Sequence, residues 1–490
     1  MKLSQIVMPE LFMPPEWDRD VHHLIIDSRD VQPGDVFIAR QGAAAHGAQH
    51  ITDAVQRGAA AILAEGDAQG FRCEWNDDGD TIPVFISADI KQHLNTWLFR
   101  RYPLNSMSLI GVTGTNGKSS VTQYIAQLAS ACGEACGVLG TLGNGRWPQL
   151  APTRNTTPDL SIILRNLSEL TEQSVNLTAM EVSSHGLSQK RVAGIGFSIA
   201  VLTNLTQDHL DYHGTMDHYF AAKRALFVDH GVQIALINTD DEYGRRLAAD
   251  KALTCKVMRY GRNAEADVRY RMTALTGAGI EAELTTPWGT GHLSLPLIGE
   301  FNLANASAAI AALAAKGLDF NALCAAASQL QPVAGRMELY TKAGAPMAVI
   351  DFAHTPDALS NVIGALKPWD KPLTTVFGCG GDRDRSKRPL MAAVVARESD
   401  FAVLTDDNPR TEDPHQIFAD VLAGAPELAH EHNRTAAIRQ AVTSAGADGI
   451  VLIAGKGHEN YQDIMGVKHP YSDESVLLSL GYQKAGGAHD

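Results

Sequence analysis

A glycine-rich turn, Gly114-Thr115-Asn116-Gly117-Lys118-Ser119, lies between an apolar run at residues 108–113 and an amphipathic stretch at residues 119–131. In a strand–turn–helix unit of this kind, the glycines let backbone N–H groups approach phosphate oxygens. Lys118 would contact the β- and γ-phosphates, and Ser119 could reach Mg²⁺. The turn departs from the general phosphate-binding pattern, because Val112 stands where a glycine is usual. A turn that only caps a helix is the alternative. We predict an ATP site with Mg²⁺.

An acidic and an imidazole side chain follow at the ends of two further predicted strands. Glu181 lies in the strand predicted at residues 178–182, and His209 follows the one predicted at residues 199–203. Taken alone, Glu181 would more often cap a helix and His209 would more often lie at a helix terminus. Strand ends are where an α/β sheet places its active site, so their joint occurrence after the phosphate-binding turn predicts a metal site with Ser119.

Three other motifs do not support a different chemistry. The turn at residues 378–381 lacks the glycine spacing of a dinucleotide-binding fingerprint. Ser183-Ser184-His185 lacks the glycines of a nucleophile elbow, which argues against a serine hydrolase. The six cysteines are scattered and are read as reduced; Cys132 and Cys136 could share a helix face, but buried thiols explain them better than a zinc site.

The elements that must position these residues indicate an α/β protein of three domains, because 490 residues exceed one compact core. Residues 1–103 form a small α/β domain, with strands predicted at 36–39 and 83–86 and a helical stretch at 51–64. Residues 104–331 form a central, doubly wound domain like that of P-loop ATPases, with a further strand predicted at 232–238. Residues 332–490 form a Rossmann-like C-terminal domain, with strands predicted at 347–351, 374–377, 401–405 and 449–453.

Charge and hydropathy exclude some partners. The formal net charge of -14 disfavours binding to nucleic acid or anionic lipid, although a local basic pocket for a phosphorylated substrate remains possible. The N-terminus has no apolar core of signal-peptide length, and no later stretch reaches the length of a membrane span. We therefore expect a cytoplasmic protein, and a monomer.

Seven segments, taken in order, resemble the Mur ligase family over nearly the whole chain. They are residues 113–120, 180–187, 203–214, 299–305, 335–338, 351–357 and 378–388. The resemblance implies an enzyme of peptidoglycan precursor biosynthesis in which ATP phosphorylates a substrate carboxylate and an amine attacks the acyl phosphate to form an amide. Mg²⁺, Lys118 and the loop amides would offset the repulsion between carboxylate and triphosphate.

The resemblance also assigns residues around the nucleotide. It implies that Ser119, Glu181, His209 and Lys223 hold metal, with Lys223 modified to N6-carboxylysine, a carbamate that turns a cation into an anionic ligand. An unmodified surface lysine is the commoner reading of any isolated lysine. It further places Asn302, Arg336 and Asp351 at the ATP site, where Arg336 would enter on closure of the C-terminal domain; an interdomain salt bridge is the alternative for Arg336.

The nucleotide-sugar and amino-acid substrates are assigned in the same way. The resemblance implies that UDP-N-acetylmuramoyl-L-alanyl-D-glutamate contacts the residues Ser28, His46, Gly47, Thr156, Thr157, Ser183, Gln189 and Arg191. Without the family, Thr156-Thr157-Pro158-Asp159 would be an ordinary helix start. The resemblance implies that the amino acid contacts Arg383, Asp407, Asn408, Pro409, Arg410, Gly455 and Glu459.

The segment Asp407-Asn408-Pro409-Arg410 indicates which amino acid is added. It resembles the form of this loop in family members that add meso-2,6-diaminopimelate, whereas lysine-adding members usually lack its arginine. A guanidinium group can bind the extra carboxylate of diaminopimelate bidentately, and Glu459 would suit a substrate ammonium group. The expected reaction is amide formation between meso-2,6-diaminopimelate and the D-glutamate γ-carboxylate.

Three rival functions make different predictions. The first is another ligase of the superfamily, which would extend folylpolyglutamate or add D-alanyl-D-alanine. Neither activity explains the presence of Arg410. A regulatory or motor P-loop ATPase would hydrolyse ATP without an amino acid and gives no reason for Lys223. A degenerate nucleotide-sugar binding module would lack some of the catalytic set, which is present here as Lys118, Ser119, Glu181, His209 and Lys223.

Overall fold

The computed structural model describes residues 1–42, 46–67, 69–104, 107–276 and 279–485. Three large sheets follow one another along the chain, each with helices packed on it. Among the described residues, no helix is both long enough and apolar enough to cross a membrane.

The first sheet has five strands, four parallel and one antiparallel at the edge, in the order β1-β2-β3-β5-β4. Its elements are α1 (Leu3–Val7), β1 (Leu24–Ile25), β2 (Val36–Ala39), α2 (Ile51–Gln56), β3 (Ala61–Glu65), β4 (Gly70–Trp75), β5 (Thr81–Ser87) and α3 (Ile90–Arg101).

One prediction for this region is wrong. The stretch at residues 51–64 is not a single helix: α2 ends at Gln56, Gly58 adopts φ +87°, and the chain continues as β3. A strand buried on both faces carries a continuous apolar run, which periodicity alone does not separate from a buried helix. The strands predicted at residues 36–39 and 83–86 are confirmed as β2 and part of β5.

The second sheet has ten strands in the order β15-β14-β13-β12-β11-β10-β6-β9-β7-β8. Its strands are β6 (Ser108–Thr113), β7 (Cys136–Gly140), β8 (Gly143–Arg146), β9 (Leu177–Glu181), β10 (Ile199–Leu202), β11 (Ile234–Asn238), β12 (Lys256–Gly261), β13 (Val268–Thr276), β14 (Gly279–Thr286) and β15 (Gly289–Leu295). Its helices are α4 (Lys118–Ala131), α5 (Leu160–Glu172), α6 (Ser184–Ser188), α7 (Leu210–His213), α8 (Met216–Asp229), α9 (Glu242–Ala248), α10 (Glu300–Lys316) and α11 (Phe320–Ala326).

The centre of this sheet determines where the site lies. The central strand β6 is parallel to both neighbours, and its Val112 pairs with Glu181 of β9 and with Val201 of β10. The order of strands reverses at β6, and such a switch point leaves a crevice at the carboxyl ends of the strands. Cys132 caps α4 and Cys136 begins β7, so these two thiols do not share a helix face.

The third sheet has seven strands in the order β20-β19-β18-β21-β17-β16-β24, of which β20 to β17 run parallel. Its strands are β16 (Glu338–Thr341), β17 (Met347–Asp351), β18 (Leu373–Phe377), β19 (Phe401–Thr405), β20 (Ala429–Glu431), β21 (Ile450–Ala454) and β24 (Gln483–Lys484), with a separate hairpin of β22 (Tyr461–Ile464) and β23 (Val467–Pro470). Its helices are α12 (Pro356–Leu366), α13 (Lys387–Glu398), α14 (Pro414–Leu422), α15 (Arg434–Ala445) and α16 (Asp473–Ser479).

The apolar cores explain how the three parts are joined. The core beneath the first sheet continues into the second through buried residues of α3 and α5, such as Trp97 and Leu164. The third sheet has separate cores on its two faces, and Ile298 and Phe301 from the preceding segment pack against one of them. Polar contacts, such as the ion pair of Lys387 with Asp208, also join the second and third parts.

Candidate active site

The phosphate-binding turn connects the buried strand β6 to α4, which begins at Lys118. Gly114 and Gly117 have φ values of +150° and +86°. A Cβ atom on Gly114 would lie 1.8 Å from Thr203 Oγ1, and one on Gly117 would lie 2.6 Å from Asn305 Oδ1. Side chains are therefore excluded at both positions by conformation and by close approach, which leaves the backbone N–H groups accessible.

Lys118 folds back over this turn. Its Nζ donates hydrogen bonds of 2.9 Å to the carbonyl oxygens of Gly114 and Thr115. Burial lowers the pKa of Lys118, an effect that Glu181 and Asp208 oppose and nearby Arg336 reinforces. Two cationic side chains thus lie close to the turn, as the binding of a polyphosphate requires.

Glu181 ends β9 beside the turn and is buried. Ser119 Oγ donates a 3.1 Å hydrogen bond to Glu181 Oε2, and the Thr141 backbone N–H donates one of 2.8 Å to Oε1. Burial raises the pKa of Glu181, and Lys118 partly offsets the rise. A serine hydroxyl and a carboxylate therefore converge at the start of α4, and such oxygen donors suit Mg²⁺.

Lys223 reaches the same turn from α8. It is buried, its Nζ donates a 2.8 Å hydrogen bond to Gly114 O, and it lies 4.7 Å from the centre of the Tyr219 ring. Burial, together with the charge of Lys118, lowers its pKa well below the usual value. Lys223 is therefore buried rather than exposed as an isolated lysine usually is, and its lowered pKa favours the neutral amine.

His209 precedes α7 with φ +55°, a conformation that few residues other than glycine and asparagine adopt. Its ring centre lies 4.9 Å from that of His185. Burial lowers the pKa of His209 to about 3, which keeps the imidazole neutral and its nitrogen lone pair available. Among the described residues, no group of three or more His, Cys, Asp and Glu side chains is arranged to hold a metal ion. A cation here would need further oxygen ligands.

The third sheet docks on this site through polar contacts. Lys387 Nζ lies 2.9 Å from Asp208 Oδ1, and both side chains are buried. Burial alone would raise the pKa of Asp208, but His354 and Lys387 lower it well below the usual value. Asp357, at the start of α12, accepts a 3.3 Å hydrogen bond from Asn116 of the phosphate-binding turn. The predicted nucleotide site thus lies between two parts of the chain.

The remaining residues predicted to bind ATP surround this junction. Arg336 lies over Phe352, 4.4 Å from the ring centre. It interacts with the charges of Asp351 and Glu181, and it forms no salt bridge with any residue that the structure describes. The Asp351 carboxylate accepts hydrogen bonds from the backbone N–H groups of Met337 (2.8 Å) and Ala353 (2.7 Å). The salt-bridge alternative for Arg336 is thereby disfavoured.

Asn302 is buried in α10 below the turn. Its Nδ2 donates a 2.8 Å hydrogen bond to Ile298 O, and its Oδ1 accepts one of 3.1 Å from Tyr124 OH. In this structure Asn302 therefore joins α10 to α4.

A second cluster of polar side chains lies where β18, β19 and β21 end. The turn at residues 378–381 follows β18, Asp407-Asn408-Pro409-Arg410 follows β19, and Gly455 to Glu459 follow β21. Arg410 Nη1 donates a 2.6 Å hydrogen bond to Gly381 O, and Asn408 Nδ2 donates one of 2.8 Å to Glu459 Oε2. Three segments remote in sequence thus form one cluster, beside the reversal of strand order between β18 and β21.

Two guanidinium groups in this cluster have no carboxylate partner among the described residues. Within the described part of the chain, neither Arg383 nor Arg410 forms an ion pair within 4.0 Å; Arg383 Nη1 donates to Asp382 O at 2.9 Å. Burial and the charge of Arg410 lower the pKa of Arg383. Two neighbouring unpaired cations are the groups needed to bind an anionic ligand.

Comparisons with known proteins agree with this geometry. The sequence matches the Mur ligase family, catalytic domain, over residues 20–98, the Mur ligase middle domain over residues 112–313, and the Mur ligase, glutamate ligase domain, over residues 335–457. The chain belongs to the Mur ligase family.

Individual relatives extend over nearly the full length of this Mur ligase. The UDP-N-acetylmuramoyl-L-alanyl-D-glutamate--2,6-diaminopimelate ligase of Pseudomonas aeruginosa is 44% identical over 471 residues, which cover 95% of this chain and 96% of the relative. The protein of that name from Vibrio cholerae is 43% identical, with 98% of each chain covered. A solved structure with that name is 35% identical, with a TM-score of 0.64 and 98% of both chains covered. MurF from Acinetobacter baumannii shares the fold, with a TM-score of 0.70. It is 17% identical, and the match covers 97% of this chain and 98% of MurF.

In this Mur ligase, the residues predicted to bind the nucleotide end of the sugar substrate lie on the first sheet's loops. Ser28 is buried in the turn after β1, and the neighbouring Asp27 carboxylate accepts from Arg29 (Nη2, 2.6 Å) and from Arg154 (Nη1, 3.1 Å). The His46 ring accepts from Ala48 N at 3.1 Å. A Cβ on Gly47 would lie 2.7 Å from Arg40 N, so the turn requires glycine.

The residues predicted to contact the muramoyl-dipeptide are brought together by hydrogen bonds. Thr157 Oγ1 donates to Ser183 Oγ or Glu181 O (3.0 and 2.9 Å), and Arg191 Nη1 donates to Thr157 O at 2.7 Å. Gln189 Oε1 accepts from Arg191 Nη2 at 2.6 Å. Thr156 accepts from Thr141 Oγ1 at 3.0 Å. The same segment starts a helix, because Asp159 caps α5.

Sequence reasoning missed three cations of this Mur ligase. Lys387 pairs with Asp208 across the junction, Arg154 bridges to Asp27 and Asp30 of the first part, and Lys456 lies buried under the second cluster. Each lies within four residues of a predicted site residue, and this proximity was the only signal in the sequence. Apart from Glu459, which is 3 positions from Lys456, their partners are 48 to 179 positions away, so no local pattern identifies these contacts.

Proposed function

We propose that this Mur ligase uses ATP to join meso-2,6-diaminopimelate to the D-glutamate γ-carboxylate of UDP-N-acetylmuramoyl-L-alanyl-D-glutamate, a step of peptidoglycan precursor biosynthesis. The unpaired guanidinium groups of Arg383 and Arg410 beside Glu459 carry the proposal. Diaminopimelate has a second carboxylate that lysine lacks, and binding it would neutralise a cationic site. Relatives named for this reaction, identical at 43–44% of positions over nearly the whole chain, support the assignment.

The chemical roles follow from the residues around the phosphate-binding turn. The loop amides and Lys118 would bind the ATP phosphates, and Arg336, which lies near the turn, would add a second positive charge. Their positive charge offsets the repulsion between the incoming carboxylate and the γ-phosphate, so the acyl phosphate can form. Glu459 would bind a substrate ammonium group, and the amine at the other end of the amino acid would attack the acyl phosphate. Arg383, Asp407, Asn408, Pro409, Arg410 and Gly455 would complete that pocket.

Mg²⁺ fits the oxygen donors beside the turn. Ser119 Oγ and the Glu181 carboxylate converge within 3.1 Å, and ATP would supply phosphate oxygens. His209 and Lys223 would hold a second ion, Lys223 as a carbamate, because the depressed pKa of Lys223 provides the neutral amine that reacts with CO₂. Bound Mg²⁺ would neutralise charge on the transferred phosphate.

The other parts of the proposal concern substrate binding and organisation. Ser28, His46 and Gly47 would bind the uridine-diphosphate end, and Thr156, Thr157, Ser183, Gln189 and Arg191 the muramoyl-dipeptide, while Asn302 and Asp351 would support the ATP site. We place the domain boundaries at residues 1–103, 104–331 and 332–490. We propose a cytoplasmic monomer that binds neither nucleic acid nor membrane.

The test measures phosphate release and product mass with Mg²⁺-ATP and UDP-N-acetylmuramoyl-L-alanyl-D-glutamate. Three parallel reactions contain meso-diaminopimelate, L-lysine or no amino acid. Phosphate release and a new amide only with diaminopimelate are expected. Phosphate release that does not depend on an amino acid would instead support a regulatory ATPase, and efficient use of lysine would contradict the role given to Arg410.

A further inference from the structure

Lys456 is a buried cation beneath the predicted amino-acid pocket. It follows β21, and its side chain has no exposed surface. Its Nζ donates to Asn408 Oδ1 at 3.0 Å and to Glu459 Oε2 at 3.0 Å, and lies 3.4 Å from Asp407 Oδ1. One ammonium group therefore joins two loops whose positions in the sequence are 48 residues apart.

We infer that Lys456 is a positioning residue for the amino-acid substrate, holding Glu459 and the Asp407–Arg410 loop in the arrangement that binds both ends of the diamino acid. The inference rests on the proposed function. Because Lys456 is fully buried and its three N–H donors have three acceptors, it has no donor left for a substrate. Its effect on the substrate must pass through the groups that it holds.

Its link to Arg410 runs through one amide oxygen. Asn408 Oδ1 accepts from Lys456 and also from the backbone N–H of Asp463 at 2.9 Å. The backbone of Arg410 is held by the same hairpin, since Arg410 N donates to Asp463 O at 2.9 Å and Met465 N donates to Arg410 O at 2.7 Å. Arg410 has φ +52°, a conformation that non-glycine residues rarely adopt and that surrounding contacts must hold.

The charge of Lys456 also matters for its neighbours. Burial alone would raise the pKa of Asp407, but Lys456 holds it below the usual value. Without the ammonium group, the carboxylates of Asp407 and Glu459 would lose the cation between them, and Asn408 would lose one of the two donors to its Oδ1. The loss of a charge-assisted hydrogen bond costs more free energy than the loss of a neutral one.

A purely structural role for Lys456 makes a different prediction. If the residue only stabilised the third sheet, its loss would lower the melting temperature and the active fraction, and hence the apparent kcat, while each KM stayed the same. If it positions Glu459 and Arg410, the KM for diaminopimelate rises while those for ATP and for the nucleotide-sugar stay near the wild-type values.

The experiment compares Lys456→Met with Lys468→Met in the full chain. Lys468 is an exposed lysine of the neighbouring hairpin, so it matches the chemical change without the buried contacts. The KM values for meso-diaminopimelate, ATP and the nucleotide-sugar are measured for both variants and for the wild type. A variant that ligates lysine as well as diaminopimelate would show that selectivity depends on the same contacts.

We expect Lys456→Met to raise the KM for diaminopimelate about 10- to 100-fold, with the other two KM values and those of Lys468→Met changed less than about twofold. Equal changes in all three KM values, or an unchanged KM for diaminopimelate, would overturn the inference. If Lys456→Met does not fold, Lys456→Gln, which keeps a donor without the charge, is expected to show a smaller rise in the same KM alone. A wild type that does not ligate diaminopimelate would instead refute the proposed function.

Discussion

Lys118 and Lys223 donate hydrogen bonds to the same acceptor, the carbonyl oxygen of Gly114, at 2.9 and 2.8 Å. The lysines come from different helices, and both Nζ groups are removed from water. The charge of Lys118 adds to the effect of burial and lowers the pKa of Lys223 further. A carbamate on Lys223 and an anionic ligand at Lys118 would each reduce the repulsion between these two side chains. The proposed reaction requires both.

Activity should therefore depend on dissolved CO₂. A carbamate forms from a neutral amine, and the lowered pKa of Lys223 favours that form. Enzyme dialysed in CO₂-free buffer is expected to lose most of its ligation activity and to regain it with bicarbonate. Lys223→Ala should remain inactive with bicarbonate, and intact-mass analysis should detect the added CO₂ on the wild type only. Full activity of CO₂-free enzyme would argue against the carbamate.

Lys118→Ala should lower the ligation rate at least about 100-fold, because a preorganised cation at the developing phosphate charge is removed. The measurement is amino-acid-dependent phosphate release at saturating substrates. Binding of the nucleotide-sugar, measured by calorimetry without ATP, is the control and should stay near the wild-type value. Near-normal turnover would show that the turn does not bind ATP.

Glu181→Gln should separate stability from function. Burial raises the pKa of Glu181 in the folded protein. The stability that the protonated side chain contributes is therefore lost as pH rises through that pKa, and the ionised side chain destabilises the fold at neutral pH. The substitution should therefore raise the melting temperature in EDTA at pH 7 by about 2–4 °C. It should also abolish Mg²⁺-dependent ligation, since a carboxylate ligand is lost. A lowered melting temperature would contradict the direction of the pKa shift.

Arg410→Ala should act on one substrate. The loss of the guanidinium group is expected to raise the KM for diaminopimelate about 100-fold. The ratio of kcat/KM for diaminopimelate to that for lysine should fall as a result. The KM for ATP should not change, because Arg410 contacts Gly381 and the β22–β23 hairpin rather than the phosphate-binding turn. An equal loss of ATP affinity would place Arg410 in the nucleotide site or in folding.

The strand, turn and helix of the candidate nucleotide site could be predicted from sequence because their signals are local. These elements are adjacent in the chain, and Glu181 ends a strand, β9, that pairs with β6. The boundary of α2 could not be predicted, since the apolar residues of β3 continue the run that precedes it and only the φ of Gly58 separates them.

The burial of Lys456 could not be predicted either. It depends on β21 lying between β17 and β18 and on the Asp407–Arg410 loop passing over its end, neither of which a local pattern encodes. The family resemblance pointed to the segments that carry the candidate site residues. It did not show which of these side chains also hold the backbone in place, as His46 and Asp351 do.

The most direct test of the central claim is the ratio of kcat/KM for meso-diaminopimelate to that for L-lysine in the wild-type enzyme, with the amide products separated by mass. The unpaired guanidinium groups of Arg383 and Arg410 predict a ratio of at least about 100, because lysine would leave them without an anion. A ratio near one, or a preference for lysine, would contradict the account.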